Sequence, residues 1–262
     1  MKRAICTLFL FCSVTAVSAQ DIRIGIELDH NSVLEFENIP VLVSVYNQSD
    51  RAVVLEDSTS PSGKPDFRFR VYRKSPVPIE RIREEPIAGG LRIPAGGWRE
   101  IPVDVSRYYD FTSPGTYRLH CEIDWNGKTL ASASKALDVI EGVKIKSIIR
   151  TMPEPFKSVR VYSLRYWKRA GREHLFLRVD EKGGVVNYGV MDLGPVIRVF
   201  APYLAVDKNG RITVVHQSES TRYTRTVLQS TENGLKLLDR SHHLENGRPH
   251  PGIRRRQPTP QP

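Results

Sequence analysis

The sequence predicts an all-β protein, and three observations predict it. Apolar residues recur at every second position in short runs. Pro-Gly, Asn-Gly and Asp-x-x-Gly turns separate those runs, and between residues 21 and 140 no segment carries a helical period. The expected architecture is an N-terminal antiparallel sandwich over 20–141. An antiparallel β-meander with hairpin repeats follows over 142–240, and then a disordered, basic, Pro-rich tail over 241–262.

Residues 1–19 read as a secretory signal peptide. Lys2 and Arg3 are followed by an apolar run from Ala4 to Cys12, and Val17-Ser18-Ala19 places small residues before a cut ahead of Gln20. The run falls short of the roughly 20 residues a spanning helix needs, and no second hydrophobic stretch follows. The expectation is an exported chain, secreted or periplasmic, with no transmembrane segment after cleavage. Cys6 and Cys12 would leave with the leader, so Cys121 would remain alone and could form no intrachain disulfide.

In the first segment Ile22, Ile24, Ile26 and Leu28 alternate as one face of a strand. Val41, Val43 and Val45 give a second strand, ended by the turn Asn47-Gln48-Ser49-Asp50; Val53 and Leu55 suggest a short third. Phe67, Phe69 and Val71 alternate with Arg68 and Arg70. Ile101, Val103 and Val105 follow, and Pro102 suits that strand to an edge. After Pro114-Gly115, Tyr117, Leu119, Cys121, Ile123 and Trp125 point one way, while Arg118, His120, Glu122 and Asp124 point the other, towards solvent. Asn126-Gly127 closes a hairpin, and the return runs through Leu137 and Val139. Cys121 shares the apolar stripe and reads as a buried filler.

Gly115-Thr116-Tyr117, opening the penultimate strand, resembles the tyrosine corner of immunoglobulin-like domains. The resemblance covers 22–140 and implies an Ig-like sandwich of the kind used for adhesion and presentation. It transfers no site, and Leu119 stands where antibody-type members carry a disulfide cysteine.

The second segment contains a weak repeat. Leu175-Phe176-Leu177-Arg178-Val179-Asp180-Glu181-Lys182-Gly183 recurs as Pro202-Tyr203-Leu204-Ala205-Val206-Asp207-Lys208-Asn209-Gly210, at an offset of 27, and Thr231-Glu232-Asn233-Gly234 offers a third such turn. Asp opens each turn through its side chain and Gly takes the positive φ. These units resemble the hairpins of β-propeller blades. Too few residues remain for a full propeller, which leaves an isolated sheet, a small barrel or a partial propeller. Lys157–Ala170 fits a helical stripe as well as a strand, and β-branched Val159 and Val161 favour strand.

No complete catalytic, cofactor or metal motif is present. His242-His243 are adjacent, so they lack the spacing of a zinc pair. His216 falls on the inward face of its strand and reads as a hydrogen-bonded core residue. Ser132 and Lys135 match Ser-x-x-Lys, but on a strand they point to opposite faces. Asp207 and Asn209 read as turn residues rather than calcium ligands. Asn47-Gln48-Ser49 is a glycosylation sequon in a eukaryotic host and a turn otherwise.

Charge supplies the functional candidate. The chain carries a formal +10, and removal of Lys2 and Arg3 with the leader leaves +8. Positive residues cluster in the tail, at Arg254, Arg255 and Arg256, and over 143–172. Within the second cluster Arg160, Arg165, Lys168, Arg169 and Arg172 interleave with Tyr162, Tyr166 and Trp167. Guanidinium groups beside aromatic faces suit an acidic polymer. The expected function is non-catalytic binding or scaffolding at the cell envelope or outside the cell. The expected partner is an anionic envelope polymer, a lipid surface or another envelope protein, and no nucleic acid is expected. Two alternatives stand. One is a polymer-acting hydrolase drawing on Glu173, Asp180, Asp192 and Asp207; the other is a protease inhibitor presenting the loop Ser58–Pro65.

Overall fold

The computed structural model describes residues 22–55, 67–83, 85, 87, 91–125, 127–152, 158–184 and 186–244. The signal-peptide reading, the loop Ser58–Pro65, Asn126 and Arg254–Arg256 lie outside them. The protein is all-β. Its first half carries β1 (Ile22–Leu28), β2 (Ser32–Leu34), β3 (Pro40–Asn47), β4 (Val53–Leu55) and β5 (Phe67–Tyr72), then β6 (Leu91–Ile93), β7 (Trp98–Asp104), β8 (Gly115–Trp125), β9 (Lys128–Ala131) and β10 (Lys135–Ile140). Strands β1-β3-β7 form one antiparallel sheet, and β2-β10-β8-β5 form a second, with β9 beside β8. Strands β4 and β6 make a small ribbon.

The two larger sheets share one apolar core. Ile22, Ile26, Val41, Val43 and Val45 from the first meet Phe67, Phe69, Val71, Tyr117, Leu119, Cys121 and Ile123 from the second. The alternating residues thus face inward as the period-two pattern requires, and β7, which holds Pro102, is an edge strand. Val105 departs from the pattern. It begins a 3-10 turn (Val105–Arg107) because Asp104 Oδ1 accepts from Ser106 N and Ile39 N, ending the strand there. Tyr117 Oη donates to Ser113 O at 2.7 Å, pinning the corner before β8.

The return strand after β8 is broken in two. β9 pairs with Glu122–Trp125 and β10 with Gly115–Leu119. Ser132 bridges the gap: its hydroxyl accepts from Cys121 N at 3.0 Å, and its own N–H donates to Cys121 O at 2.9 Å. Strand β2 lies parallel to β10, with Val33 opposite Val139, within an otherwise antiparallel sheet.

The second half is a meander of two four-stranded antiparallel sheets. The first is β11 (Val143–Thr151), β12 (Val159–Arg169), β13 (Arg172–Glu181) and β14 (Asn187–Pro195). The second is β15 (Tyr203–Val206), β16 (Arg211–Glu219), β17 (Arg222–Thr231) and β18 (Gly234–Leu244). Their inner faces enclose a second core of Tyr162, Leu164, Leu175, Leu177, Ile212 and Val214 with their neighbours. The segment from Val159 to Arg169 is strand, as its β-branched residues favour.

The 27-residue repeat is not the repeat of the sheets. It matches β13, the third strand of one sheet, with β15, the first strand of the next. The turn that corresponds to the one after β13 is Thr231–Gly234, between β17 and β18. The sequence therefore marks hairpin turns rather than whole sheets. Order also continues past residue 240: β18 runs to Leu244, so His242 and His243 lie on a strand and not in a loop.

Candidate anion-binding groove

The structure separates the residues of the 160–172 cluster by strand parity. On β12, Arg160, Tyr162 and Tyr166 turn inward, while Arg165, Trp167 and Arg169 turn outward, against the first half. Arg160, Tyr162, Arg165, Tyr166 and Arg169 are all buried, which corrects the expectation of an exposed cation–aromatic surface. Of the eight, Lys168 and Arg172 are exposed and Trp167 is half-buried.

Arg160 is 1% exposed and serves the core. It donates to Ser158 Oγ at 3.2 Å, Ser230 Oγ at 2.6 Å and Thr231 O at 3.1 Å, and its guanidinium lies 3.8 Å from the centre of the Tyr188 ring. It ties the two sheets together at one end.

The outward arginines clamp the halves to each other. Arg169 bridges Glu37 Oε2 at 2.6 Å and Asp192 Oδ2 at 2.8 Å, over the face of Phe176. Arg178 bridges Glu35 Oε2 at 2.6 Å and Asp180 Oδ1 at 2.9 Å, over Phe36. Arg165 donates to Glu141 O at 2.8 Å, and Trp167 Nε1 to Ser32 Oγ at 3.5 Å. Glu35, Phe36 and Glu37 sit at a corner after β2, where Phe36 takes a positive φ of 65°. That backbone turns both carboxylates towards the second half.

The same contacts account for the carboxylates considered for hydrolysis. Asp180 and Asp192 are engaged by arginine, Glu173 by Arg198 at 2.6 Å, and Asp207 caps its own turn by accepting from Asn209 N and Arg211 N. None of them pairs with another across a cleft. Ser241 Oγ lies 3.1 Å from His243 Nε2, and Asp239 contacts the serine and Arg225. Among the described residues no group of three or more His, Cys, Asp and Glu could hold a metal ion, and no helix is long and apolar enough to cross a membrane. Asn47 is 1% exposed, and its amide donates to Arg51 O at 2.7 Å and Pro94 O at 2.9 Å, so in the folded protein the sequon is a structural turn.

The exposed cationic site lies elsewhere, on the outer face of the second sheet. Charge is sorted along β8. At one end Glu122 accepts from Arg68 Nε at 2.9 Å and Arg70 Nε at 3.0 Å, and Asp124 pairs with Arg68. Burial alone would raise the Glu122 carboxyl, but hydrogen bonds from Arg70, His120 and Arg68 outweigh it and hold the group below the usual range. At the other end Thr116, Arg118 and His120 from β8 meet Tyr72, at the end of β5, and the bend Arg73–Pro76. Together with Ser134 they line a groove of about 790 Å³; none of its described lining residues is a carboxylate, and Asp138 accepts from Thr116 Oγ1 at its edge at 2.7 Å.

The basic side chains of the groove are held differently. Arg73 donates to Pro114 O at 2.8 Å and leans over Tyr117, so the corner before β8 aims it. His120 stacks on Tyr72 with ring centroids 5.9 Å apart and touches Glu122 at 3.2 Å; it is therefore part of the groove wall rather than a solvated side chain. Arg118 and Lys74 are exposed and, among the described residues, have no acidic partner. Sequence reasoning missed this site because its residues come from separate segments. The available signal was the neighbouring Tyr72-Arg73-Lys74, placed beside Arg118 once the two strands are paired.

No protein-family model matches the chain, and no curated protein matches it. Among solved structures the chain is similar to the sporulation control protein Spo0M of Bacillus subtilis, at 8% identity and a TM-score of 0.34, over 64% of this chain and 83% of that one. So slight a likeness carries no argument about function.

Proposed function

We propose that this is an exported, non-catalytic binding protein whose first half engages an anionic polymer through the groove beside β8. The observation that carries the reading is a concave wall bearing Arg73, Lys74, Arg118 and His120 with no acid among its described lining residues. A concave site fits a polymer chain better than a flat lipid surface, and Lys74 and Arg118, which have no acidic partner among the described residues, attract anions without first breaking an ion pair. Tyr72 and His120 offer stacked rings on which a sugar unit can lie. The bond from Tyr117 to Ser113 supports the Ig-like reading of the first half. The two successive four-stranded meanders support the blade-like reading of the second. The leader-like residues 1–19 support export, and the basic tail with Arg254, Arg255 and Arg256 is proposed to add a salt-sensitive attraction.

The test is co-sedimentation of the purified protein with an acidic polysaccharide and, separately, with anionic vesicles across a salt series. Polysaccharide binding should weaken steeply with salt, and Lys74→Ala/Arg118→Ala should cost about tenfold in affinity, near 0.7 kcal/mol per cation. A chain ending at Gly247 reports the tail separately. Equal binding by the double variant, or none by either form at low salt, removes the groove from the reading; binding to vesicles alone replaces the polymer with a membrane.

A further inference from the structure

The outer face of the other large sheet, β1-β3-β7, has a different chemistry. Three rungs cross it. Arg23, Tyr46 and Trp98 stand side by side at one end; Gly25, Ser44 and Glu100 form the middle; Glu27, Leu42 and Pro102 form the far end. Trp98 is 51% exposed and Tyr46 44%, far more than their size favours for rings in a sheet. Their planes are inclined by only 24° with centroids 6.2 Å apart, a stacked pair of which both rings stay accessible. At the other end Glu27, Asp29, Pro40, Leu42 and Pro102 border a pocket of about 330 Å³. The middle rung is low: a Cβ at Gly25 would touch nothing nearer than Ser44 Cβ at 3.9 Å, so the missing side chain opens the face and is not required by packing. At a rise of about 3.4 Å per residue, the path from the first rung to the third is roughly 13 Å.

We propose that this face is a second binding site, for an uncharged saccharide chain lying across the three rungs. The C–H face of a pyranose is apolar and would lie on Trp98 and Tyr46. Its hydroxyl rim needs donors and acceptors, which Arg23, Ser44 and Glu100 supply near the rings and Glu27 at the far rung. The low middle rung lets the chain pass, and the far pocket receives the next unit. Charge decides against an acidic chain here, since Glu27, Asp29 and Glu100 outnumber Arg23. Layout decides against a protein partner: a stable interface has an apolar centre, whereas here Gly25, Ser44 and Glu100 separate the two apolar ends. The inference is independent of the groove, which belongs to the other sheet.

The experiment titrates the purified protein with cellohexaose, xylohexaose, mannohexaose and chitohexaose by calorimetry. At least one should bind in the millimolar range or tighter. Trp98→Ala should weaken it by about tenfold or more, in line with the loss of an aromatic anchor. Tyr46→Ala should weaken it less. Gly25→Leu should block the middle rung while leaving both rings in place, which keeps the test valid if either ring variant folds poorly. Lys74→Ala/Arg118→Ala should bind as the parent does, so loss of the groove and loss of this face are read separately. The proposal is overturned if none of the four binds the parent, if Trp98→Ala and Gly25→Leu both bind unchanged, or if sedimentation shows Trp98 buried between two copies.

Discussion

Three residues show how burial decides chemistry. Cys121 has no exposure, and burial pushes its thiol far above the usual range, with Glu122 adding to the effect. The Cys121 thiol should therefore resist Ellman's reagent in the native protein and react only on unfolding, as read with Cys6→Ser/Cys12→Ser; rapid reaction of that folded protein would contradict the packing. His216 is 2% exposed, donates from Nε2 to Pro195 O at 3.2 Å, and is lowered to about 4, chiefly by burial, with Arg240 and His242 contributing and Asp192 opposing. The folded value lies below the ordinary 6.5, so the neutral ring's contribution is full above pH 6.5 and is lost as pH falls towards 4. That loss is worth about 3 kcal/mol. Urea titrations of the parent and His216→Leu should diverge in pH slope within that window, the variant being the flatter. Cys121 and His216 were legible in the sequence because both fall in phase with an apolar stripe. Arg160 was not read correctly, although the same phase places it with Tyr162 and Leu164 on the inner face. A charge count merges the two faces of a strand; the period of two separates them.

At the scale of the element, the strands best read in advance were those with one face buried, such as β3, β5 and β8. Shorter strands with few alternations, β2 and β6, left no pattern to read. The break between β9 and β10 was equally silent, because a serine that replaces a ladder partner looks like any loop serine. Ser132→Ala should leave Cys121 N without a partner in the core and cost about 1–2 kcal/mol in chemical unfolding, with no change in the hairpin. Strand β11 explains part of the basic run at 143–172. It is an edge strand, mostly exposed, with Lys144, Lys146 and Arg150 along it and a bulge between Lys144 and Lys146. Charge and bulging discourage another strand from pairing there. Lys144→Val/Lys146→Val should raise the tendency to self-associate, seen as a concentration-dependent rise in light scattering, while leaving the monomer's circular dichroism unchanged.

For the whole molecule, the decisive contacts join Glu35 and Glu37 to Arg178 and Arg169. These side chains are 5–13% exposed, so removing one partner strands a buried charge at a cost of about 3 kcal/mol or more. Glu35→Gln/Glu37→Gln should split calorimetric unfolding into two transitions, whereas the parent should unfold in one. Nothing in the sequence paired Glu37 with Arg169, because partners so distant share no local pattern. A related distance governs how the chain folds. The second half is a succession of neighbouring hairpins in which, within each sheet, every strand pairs with the one just before it. The first half is closed by Val33 lying against Val139, so β2 must wait until nearly all of that half has been made before it finds a neighbour. Local pairings form early and remote ones late. The half synthesised first is therefore the half completed last, and pulsed hydrogen exchange should protect β16 and β17 before Val33 and Leu34.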